Sequence, residues 1–490
     1  MRMKLKDFPF RPYQKDTITN LMRKERFHAL LIEVGGGKSL CIIGYAETHK
    51  KIKKVIIFCR KDNIKTWRDE IKKWRGSKYV QVKGTPSLRL HNIMKFFSSN
   101  KYKYLIINYD APKCRSKKID GVGNIKYRKV IENEIYTALM ENKHLLDYAV
   151  FDESIEIKNG QSDRHRYVYR ITKDIDHKAI LDGCPVSTSP MDLYGQFLML
   201  DGGRTFGDNF FRFRNKYFQC TNIGYQTWVL KNGGLEAMHT KMAKVAVRIK
   251  KRDVRDDLPP QAWQKYHGEM KGKQLKYYKQ MAEWFWVDDD DIYIETKHTI
   301  VQLQKLHQIC NGFLYMEKGK PPITFPHPKP EMLRKVLGGE LRGKPQLVIW
   351  ANHLYSLKEI KQVCKTMGRS SIIYHGGLSD KQKESRRDKF LANKVDIFIG
   401  QARAGVGLNE LANADTTIYW SNAASLRARV QTEGRIDRDS TVVKERNLYL
   451  DFVIANSLEQ HIYDSIRMKQ WSSDSVLNFK SRAEIRKVIT

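Results

Sequence analysis

The chain alternates short, continuous apolar runs with stretches in which apolar residues recur at helical spacing. Continuous apolar runs of this length predict strands that are buried on both faces of a sheet. These runs lie at residues 29–33, 54–59, 104–108, 148–152 and 179–182, and further on at 346–351, 371–375, 395–400 and 416–420. Because helical stretches separate the strands, the pattern predicts two α/β units, each with a mostly parallel sheet.

Between these two units the pattern changes, and apolar residues at helical spacing predict a mainly helical insertion. We place the first unit at residues 1–203, the insertion or linker at 204–325 and the second unit at 326–490. Basic and aromatic side chains interleave at residues 204–218. This segment is either a surface that stacks bases and contacts phosphates, or a core helix with a solvated basic face.

The charge of the chain adds information about its partners. Its 490 residues include 89 lysines and arginines against 54 aspartates and glutamates, a formal net charge of +35. Such an excess attracts polyanions, so nucleic acid is the favoured partner, and binding is expected to weaken as salt rises. A lysine-rich proteome would also raise the charge, since lysine is spread through every region.

The sequence also bears on compartment. No apolar run is long enough to cross a bilayer, and the basic N-terminus lacks the apolar segment of a signal peptide. The seven cysteines are scattered without the spacing of a zinc site. We therefore expect a cytoplasmic protein with reduced thiols that binds no membrane.

The first segment with candidate chemistry is a glycine-rich loop. Residues 33–39 read Glu-Val-Gly-Gly-Gly-Lys-Ser and follow an apolar run. This order predicts a buried strand, a loop whose N–H groups cradle phosphates, and the start of a helix. Lys38 would reach the β- and γ-phosphates of ATP, and the Ser39 hydroxyl would hold Mg²⁺. Taken alone, the segment also fits a flexible turn beside an unrelated lysine.

A pair of carboxylates is the second candidate. Asp152 and Glu153 follow an apolar run at the end of the predicted strand 148–152. In the same unit as a phosphate loop, Asp152 would hold Mg²⁺ through its water shell, and Glu153 would orient and activate the attacking water. Without Lys38 upstream, such a pair is most simply a solvated turn.

Further segments carry a resemblance to a known family. In chain order they are 10–14 (Phe-Arg-Pro-Tyr-Gln), 33–39, 55–59, 108–109, 152–159 (Asp-Glu-Ser-Ile-Glu-Ile-Lys-Asn), 182–185 (Asp-Gly-Cys-Pro), 258–260 (Leu-Pro-Pro), 306–311 (Leu-His-Gln-Ile-Cys-Asn), 404–409 (Ala-Gly-Val-Gly-Leu-Asn) and 431–438 (Gln-Thr-Glu-Gly-Arg-Ile-Asp-Arg). With these segments in this order, the chain resembles a superfamily 2 helicase or translocase, nearest the Swi/Snf-type ATPases and their phage-encoded relatives. Segment 431–438, which matches Gln-x-x-Gly-Arg-x-x-Arg, discriminates best.

The resemblance implies an α/β fold with two RecA-like parallel-sheet lobes, a brace helix at residues 457–469, and ATP hydrolysis with Mg²⁺. The catalytic residues that it implies are Lys38, Asp152, Glu153, Arg435 and Arg438. The ATP-binding residues that it implies are Arg11, Gln14, Glu33, Gly35, Gly36, Gly37, Lys38, Ser39, Gly407, Asn409 and Gln431. The metal ligands would be Ser39 and Asp152, and Gln14 is suited to hydrogen-bond the base edge of adenine.

The role of the two arginines follows from charge. Negative charge builds on the γ-phosphate oxygens in the transition state, and a planar cation can stabilise it. By the family pattern Arg438 is the stronger candidate for an arginine finger, with Arg435 beside it. Since both belong to the opposite lobe from Lys38, hydrolysis would require closure and so would couple turnover to movement along a bound strand.

Three positions depart from the family pattern. Ile155 stands where the family usually has histidine, and Asp182 and Cys184 replace two threonines. That histidine commonly links the nucleotide site to the segment at 182–185, so coupling is expected to run differently in this chain. None of the three is the metal ligand or the base, and we expect ATP hydrolysis to persist.

We interpret the chain as an ATP-dependent DNA helicase or translocase. It would act as a monomer on duplex or branched DNA and contact mainly the backbone. An RNA helicase is the first alternative, because the net charge fits either polymer. A DNA-binding protein with a degenerate ATP site is the second, although the intact catalytic set argues against it.

Overall fold

The computed structural model describes residues 4–120, 126–131, 133–222, 227–289, 292–296, 298–316, 320–402, 411–437 and 444–477. It consists of two compact units. The first comprises Met1–Asp256 and Ser472–Thr490, and the second comprises Asp257–Trp471.

The first unit is built on strands β1 Phe27–Ile32, β2 Val55–Cys59, β3 Tyr79–Gln81, β4 Tyr104–Asn108, β5 Arg115–Asp120, β6 Lys126–Ile131, β7 Tyr148–Asp152, β8 His177–Leu181, β9 Phe218–Asn222, β10 Thr227–Leu230 and β11 Ala246–Ile249. Seven of them form one sheet in the order β11-β1-β8-β7-β2-β4-β3, and all neighbours are parallel. Two antiparallel hairpins, β5 with β6 and β9 with β10, stand apart from it.

Helices connect these strands, as parallel pairing requires. They are α1 Pro12–Asp16, α2 Lys38–Thr48, α3 Ile64–Arg75, α4 Pro86–Ser98, α5 Glu134–Asn142, α6 Asp163–Thr172, α7 Asp192–Asp201, α8 Phe210–Tyr217, α9 Gly234–Met242 and α10 Lys251–Val254. A π-helical turn at Thr17–Met22 continues α1. Since successive strand residues face opposite sides, Leu30 and Ile32 join one apolar core, whereas Ala29 and Leu31 join the other. Both faces of the sheet are therefore covered.

The segment with interleaved basic and aromatic residues forms α8 and its surroundings. Phe213 and Tyr217 are buried in the core of the first unit together with Phe206, whereas Phe211 is 54% exposed. The guanidinium of Arg214 lies 3.8 Å from the centroid of the Trp228 ring. The structure thus favours the interpretation of a core helix with a basic outer face.

The second unit contains strands β12 Gln261–Gly268, β13 Trp286–Asp289, β14 Ile292–Glu295, β15 Phe313–Leu314, β16 Ile323–Thr324, β17 Leu347–Ala351, β18 Ser371–Tyr374, β19 Ile397–Gln401, β20 Thr416–Tyr419 and β21 Asn447–Ile454. Six of these form a second parallel sheet in the order β12-β21-β20-β17-β19-β18. Its helices are α11 Gly272–Trp284, α12 Thr299–Cys310, α13 Lys329–Gly338, α14 Leu354–Thr366, α15 Asp380–Leu391, α16 Leu426–Ile436 and α17 Leu458–Leu477.

The nine strands predicted from apolar runs are confirmed, each within a residue or two at its ends. The predicted domain limits differ from the division that the structure shows. Within residues 204–325, β11 pairs with β1 in the first sheet and β12 pairs with β21 in the second. These two strands escape a search for apolar runs because β11 is short and includes Arg248, while β12 is a half-exposed edge strand.

A buried ion pair holds the second unit together, and it generates a stability prediction. Lys329 at the start of α13 is fully buried, and its Nζ donates to Glu459 Oε1 at 2.6 Å, the Trp420 carbonyl at 2.7 Å and Asn311 Oδ1 at 3.0 Å. Removing one member of such a pair leaves the other charge buried and costs about 3–5 kcal/mol. Lys329→Met should therefore lower the free energy of opening of β20 by about that amount, measured by native-state hydrogen exchange.

The exposed Lys335 on the same helix provides the control. Lys335→Met should change the same exchange rates by less than about 0.5 kcal/mol. Equal effects of the two substitutions would contradict the structural role given to Lys329.

Candidate nucleotide-binding site

Three loops that carry candidate chemistry meet at one edge of the first sheet. Strands β1, β8 and β7 are consecutive neighbours and run parallel, so their carboxyl ends lie side by side. The glycine-rich loop follows β1, the segment at 182–185 follows β8, and Asp152 and Glu153 lie at the end of β7. This edge is where ligands bind in open parallel sheets.

The glycine-rich loop has a backbone that side chains would disrupt. Gly35 and Gly37 have φ angles of 85° and 75°, in the left-handed region that favours glycine. A Cβ on Gly36 would lie 2.5 Å from Ile32 Cγ2, and one on Gly37 would lie 2.1 Å from Gln14 Nε2. Because α2 begins at Lys38, its first N–H groups lie next to this loop. The loop and helix together fit the phosphates of a nucleotide.

Lys38 and Ser39 occupy the first turn of α2, as the sequence predicts. The Lys38 ammonium donates to the Ile32 carbonyl at 2.6 Å and to the Glu33 carbonyl at 3.3 Å. The positive charge therefore lies at the end of β1, where the glycine-rich loop begins. Ser39 is half-buried at the second position of the helix.

The segment that contains Arg11 and Gln14 is hydrogen-bonded to the phosphate loop. The buried Gln14 donates from Nε2 to the Gly36 carbonyl at 3.2 Å and accepts the Arg11 backbone N–H at 3.0 Å. The Tyr13 hydroxyl donates to the same Gly36 carbonyl at 3.0 Å. The side-chain amide of Gln14 can still form further hydrogen bonds, because its nitrogen has a second N–H and its oxygen a second lone pair. A contact of Gln14 with adenine thus stays a prediction, while its bond to the loop is a role that sequence reasoning missed.

Asp152 is buried and oriented by donors from one neighbouring helix and the turn before it. Trp67 Nε1 and Asn63 Nδ2 donate to its Oδ2 at 2.9 and 3.1 Å, and the Tyr109 hydroxyl donates to its backbone carbonyl at 2.9 Å. Burial raises the pKa of Asp152 and the nearby Glu153 raises it further, against the Trp67 hydrogen bond, which lowers it. A divalent cation would oppose this rise.

The residues present fit Mg²⁺ in the manner of nucleotide enzymes. Within the described ranges, no group of three or more His, Cys, Asp or Glu residues could hold a metal ion. Mg²⁺ is instead usually bound by one or two carboxylates with substrate phosphates and water. Asp152 and Ser39 have the oxygen donors that such a site uses, and their role as metal ligands stays a prediction.

Glu153 has an unusual backbone conformation. Its φ of 55° lies in the left-handed region, which a non-glycine residue adopts at a cost of about 1–3 kcal/mol. A helical turn at Ser154–Ile157 follows it, and the Ser154 hydroxyl donates to Gln196 Oε1 at 2.6 Å. The same glutamine donates to the Pro185 carbonyl at 2.7 Å. The Tyr109 bond to the Asp152 carbonyl and the Ser154 bond to Gln196 flank Glu153 and restrain its backbone.

Asp182 supplies a link that the sequence did not reveal. Its buried carboxylate accepts the Ile155 backbone N–H at 2.9 Å and the Cys184 backbone N–H at 2.8 Å. Two of the departures from the family pattern, Ile155 and Asp182, are therefore bonded to each other. The carboxylate ties the turn after Glu153 to the segment at 182–185, so the two loops are joined through a backbone group. The placement of an acidic residue at the end of the neighbouring strand was the available signal.

A second group of supporting residues comes from β11 and the turn after it. Arg248 donates to the Leu31 carbonyl at 3.1 Å and to the Gly183 carbonyl at 3.4 Å. The Lys251 backbone N–H donates to Glu33 Oε2 at 2.9 Å. Glu33, predicted as ATP-binding, therefore bonds the chain that follows β11. Sequence reasoning missed the contacts of Arg248 and Lys251 because it placed both residues in a separate, mainly helical insertion.

In the second unit, the described site residues lie on α16. Gln431 and Arg435 are both buried there. On the same helix Arg429 forms ion pairs with Asp451 and Glu433 and stacks 3.5 Å from the centroid of Tyr419, which fixes the helix to its sheet. Gly407, Asn409 and Arg438 lie outside the described residues, and their roles stay predictions.

No helix in the described ranges is long and apolar enough to cross a membrane.

Comparison with known protein families adds two matches. A family model described as SNF2-related domain matches residues 13–317, and one described as helicase conserved C-terminal domain matches residues 328–440.

Individual relatives are more distant. The chain is 26% identical over 331 residues to TATA-binding protein-associated factor MOT1 of Saccharomyces cerevisiae, which covers 61% of this chain and 16% of that protein. It is 21% identical over 487 residues to DNA repair and recombination protein RDH54 of Saccharomyces cerevisiae, covering 89% of this chain and 49% of that protein. The chain thus spans about half the length of these relatives or less.

A solved structure bears on the fold. The Hef helicase domain of Pyrococcus furiosus matches 95% of this chain with all of its own length, at a TM-score of 0.53 and 11% sequence identity. The expected α/β fold with two RecA-like parallel-sheet lobes is confirmed.

The Asp182 link generates a test. In Asp182→Asn the amide cannot accept both backbone N–H groups, so one bond is lost and a donor faces a donor. The turn that holds Glu153 should shift, and we expect kcat for ATP hydrolysis to fall about 10–100-fold, while KM stays nearly unchanged. Steady-state kinetics measure both constants.

Asp201 is a matched control for this substitution. It is a buried carboxylate of the same unit that accepts backbone N–H groups of Gly203 and Thr205, both at 3.0 Å, away from the three loops. Asp201→Asn should leave kcat of the folded protein unchanged. If Asp182→Asn also keeps kcat, or raises KM instead, the link does not position the Glu153 turn.

Proposed function

The chain belongs to the SNF2-related family, and we propose that it hydrolyses ATP with Mg²⁺ to drive movement along duplex or branched DNA. The observation that carries this proposal is the meeting of the phosphate loop, the Asp152–Glu153 pair and the Asp182 link at one edge of the first sheet. The presence of Lys38, Asp152 and Glu153 in the sequence argues against a degenerate site.

The candidate residues of the first unit have the following roles in the proposed reaction. The loop N–H groups and the start of α2 bind the phosphates, and Lys38 matches their negative charge. Ser39 and Asp152 would hold Mg²⁺, which would neutralise negative charge on the phosphates when bound. Glu153 orients the attacking water and accepts its proton. Trp67 and Asn63 keep the Asp152 carboxylate in one orientation.

We propose that Arg435 and Arg438 of the second unit stabilise the charge that develops on the transferred phosphate. An arginine in this role contributes about 10³–10⁵ in rate in related enzymes. Since both arginines belong to the other unit, their participation would couple hydrolysis to a relative movement of the two units. Such coupling is what turns an ATPase into a motor.

DNA is the proposed track. The net charge of +35 favours binding of a polyanion mainly through its backbone. Relatives in the same family include a protein of DNA repair and recombination and a TATA-binding protein-associated factor. We further propose that the chain works as a monomer in the cytoplasm of a bacterial or phage-infected cell, a proposal that depends on the sequence alone.

Steady-state ATP hydrolysis tests this function. The protein alone is compared with the protein plus duplex DNA, forked or four-way DNA, single-stranded DNA, or RNA. We expect the strongest stimulation with duplex or branched DNA, and we expect stimulation to weaken as salt rises. Lys38→Ala should reduce the stimulated rate at least about 100-fold, whereas Lys51→Ala, at an exposed lysine of the same unit, should not.

The other outcomes separate the alternatives. Stimulation by RNA but not by DNA would establish the RNA helicase instead. No hydrolysis with any polymer, by a protein that still binds DNA, would establish the degenerate site.

A further inference from the structure

A cavity of about 650 Å³ lies in the second unit, and none of the candidate ATP-site residues lines it. It is lined by α14, the edge strand β18 and α15. Tyr315 and Pro322, at the two ends of the connection between β15 and β16, also line it. Its volume is in the range of small-molecule sites. Leu357 on α14, Ile372 on β18 and Pro322 form an apolar wall.

Two tyrosines add flat aromatic surface to this wall. Tyr315 and Tyr355 both line the cavity, and burial raises the pKa of Tyr355, with smaller contributions from Glu359 and Tyr315. The buried Phe313 ring supports Tyr355, because their centroids are 4.7 Å apart. Tyrosine faces held in this way provide a surface on which a nucleobase can stack.

Basic side chains from two helices line the cavity. Lys358 and Lys361 come from α14, and Arg386 and Lys389 come from α15. None of the described residues that line the cavity is acidic. In the part of the chain that the structure describes, Lys358, Lys361 and Lys389 form no ion pair. Three lysines that form no ion pair with any described residue thus line the cavity.

The electrostatic environment of His375 supports this description. This histidine also lines the cavity, and its pKa is lowered first by burial and then by the charges of Arg386 and Lys383. The lining of the cavity therefore combines basic side chains with apolar and aromatic ones. A ligand that fits both properties has a flat apolar part and an anionic part.

We propose that this cavity binds an unpaired nucleotide, with the base against Tyr315 and Tyr355 and the phosphate on the lysines of α14 and α15. An acidic peptide added to the edge of β18 is a weaker fit. The Ile373 carbonyl on that strand already accepts a hydrogen bond from Arg386, so the edge is partly blocked.

The nucleotide has two sources with the same chemistry. It is either a free mononucleotide or one nucleotide of an unpaired DNA strand. The second source depends on the proposed function and would give a motor on duplex or branched DNA a site for an unpaired base. The first source is independent of that function.

Photochemical crosslinking tests the proposal directly. The full chain carrying Lys38→Ala, which weakens binding at the phosphate loop, is irradiated with 5-iodo-dUMP or with a pyrimidine strand of about ten nucleotides that contains one 5-iodouracil. We expect a crosslink to Tyr315 or Tyr355, located by mass spectrometry. The crosslink should form with the strand, with the mononucleotide, or with both, and this result identifies the source.

Binding of the same ligands by variants provides the second measurement. The double change Lys358→Glu with Lys361→Glu, and separately Tyr355→Ala, should weaken binding about tenfold. Lys365→Glu, an exposed lysine of α14 that does not line the cavity, is the matched control and should bind like the parent. The lysine changes are on the surface, so loss of folding does not explain their effect.

Several results would overturn the proposal. One is a crosslink only outside the cavity, and another is unchanged binding by the cavity variants. A third is a cavity that binds an oligoglutamate peptide but neither nucleotide. The cavity variants are also made with Lys38 intact, and their duplex-stimulated ATP hydrolysis is measured separately. This measurement separates failure of the cavity proposal from failure of the proposed function.

Discussion

Parallel pairing of three adjacent strands is the constraint on which the rest of the site depends. Because β1, β8 and β7 run in the same direction, the loops after them must leave the sheet at the same edge. The phosphate loop, Asp182 and the Asp152–Glu153 pair come from distant parts of the sequence, yet pairing alone brings them together. Parallel sheets of this kind need both faces covered, which explains why their strands are continuous apolar runs.

Buried charges are held in two different ways in this structure. In the second unit Lys329 pairs with Glu459, and Arg429 pairs with Asp451. Such pairs fix helices to the sheet. In the first unit Asp152 is held by neutral donors from Trp67 and Asn63, and its pKa is raised by burial. The proposed role of Asp152 in holding Mg²⁺ requires a carboxylate that is oriented in this way.

The sequence predicted the parts of this structure that have a periodic or local signal. The apolar runs located the central strands, and the glycines before Lys38 located the turn that leads from β1 into α2. Contacts between distant segments had no such signal. The bonds of Asp182 to the Ile155 N–H and of Lys251 to Glu33 depend on strand order, which a single sequence does not show. The edge strands β11 and β12 were missed because half-exposed or very short strands lack a continuous apolar run.

Movement along DNA is the central claim, and displacement of a third strand from a triplex measures it without requiring strand separation. A duplex carries a labelled triplex-forming strand at one end, and the protein is added with ATP and Mg²⁺. The account predicts that the third strand is released after a delay, and that the delay lengthens as the duplex between the triplex and the opposite end is made longer. Lys38→Ala should release none. If the protein hydrolyses ATP on this duplex but leaves the triplex intact, it is a DNA-stimulated ATPase and the claim of translocation is wrong.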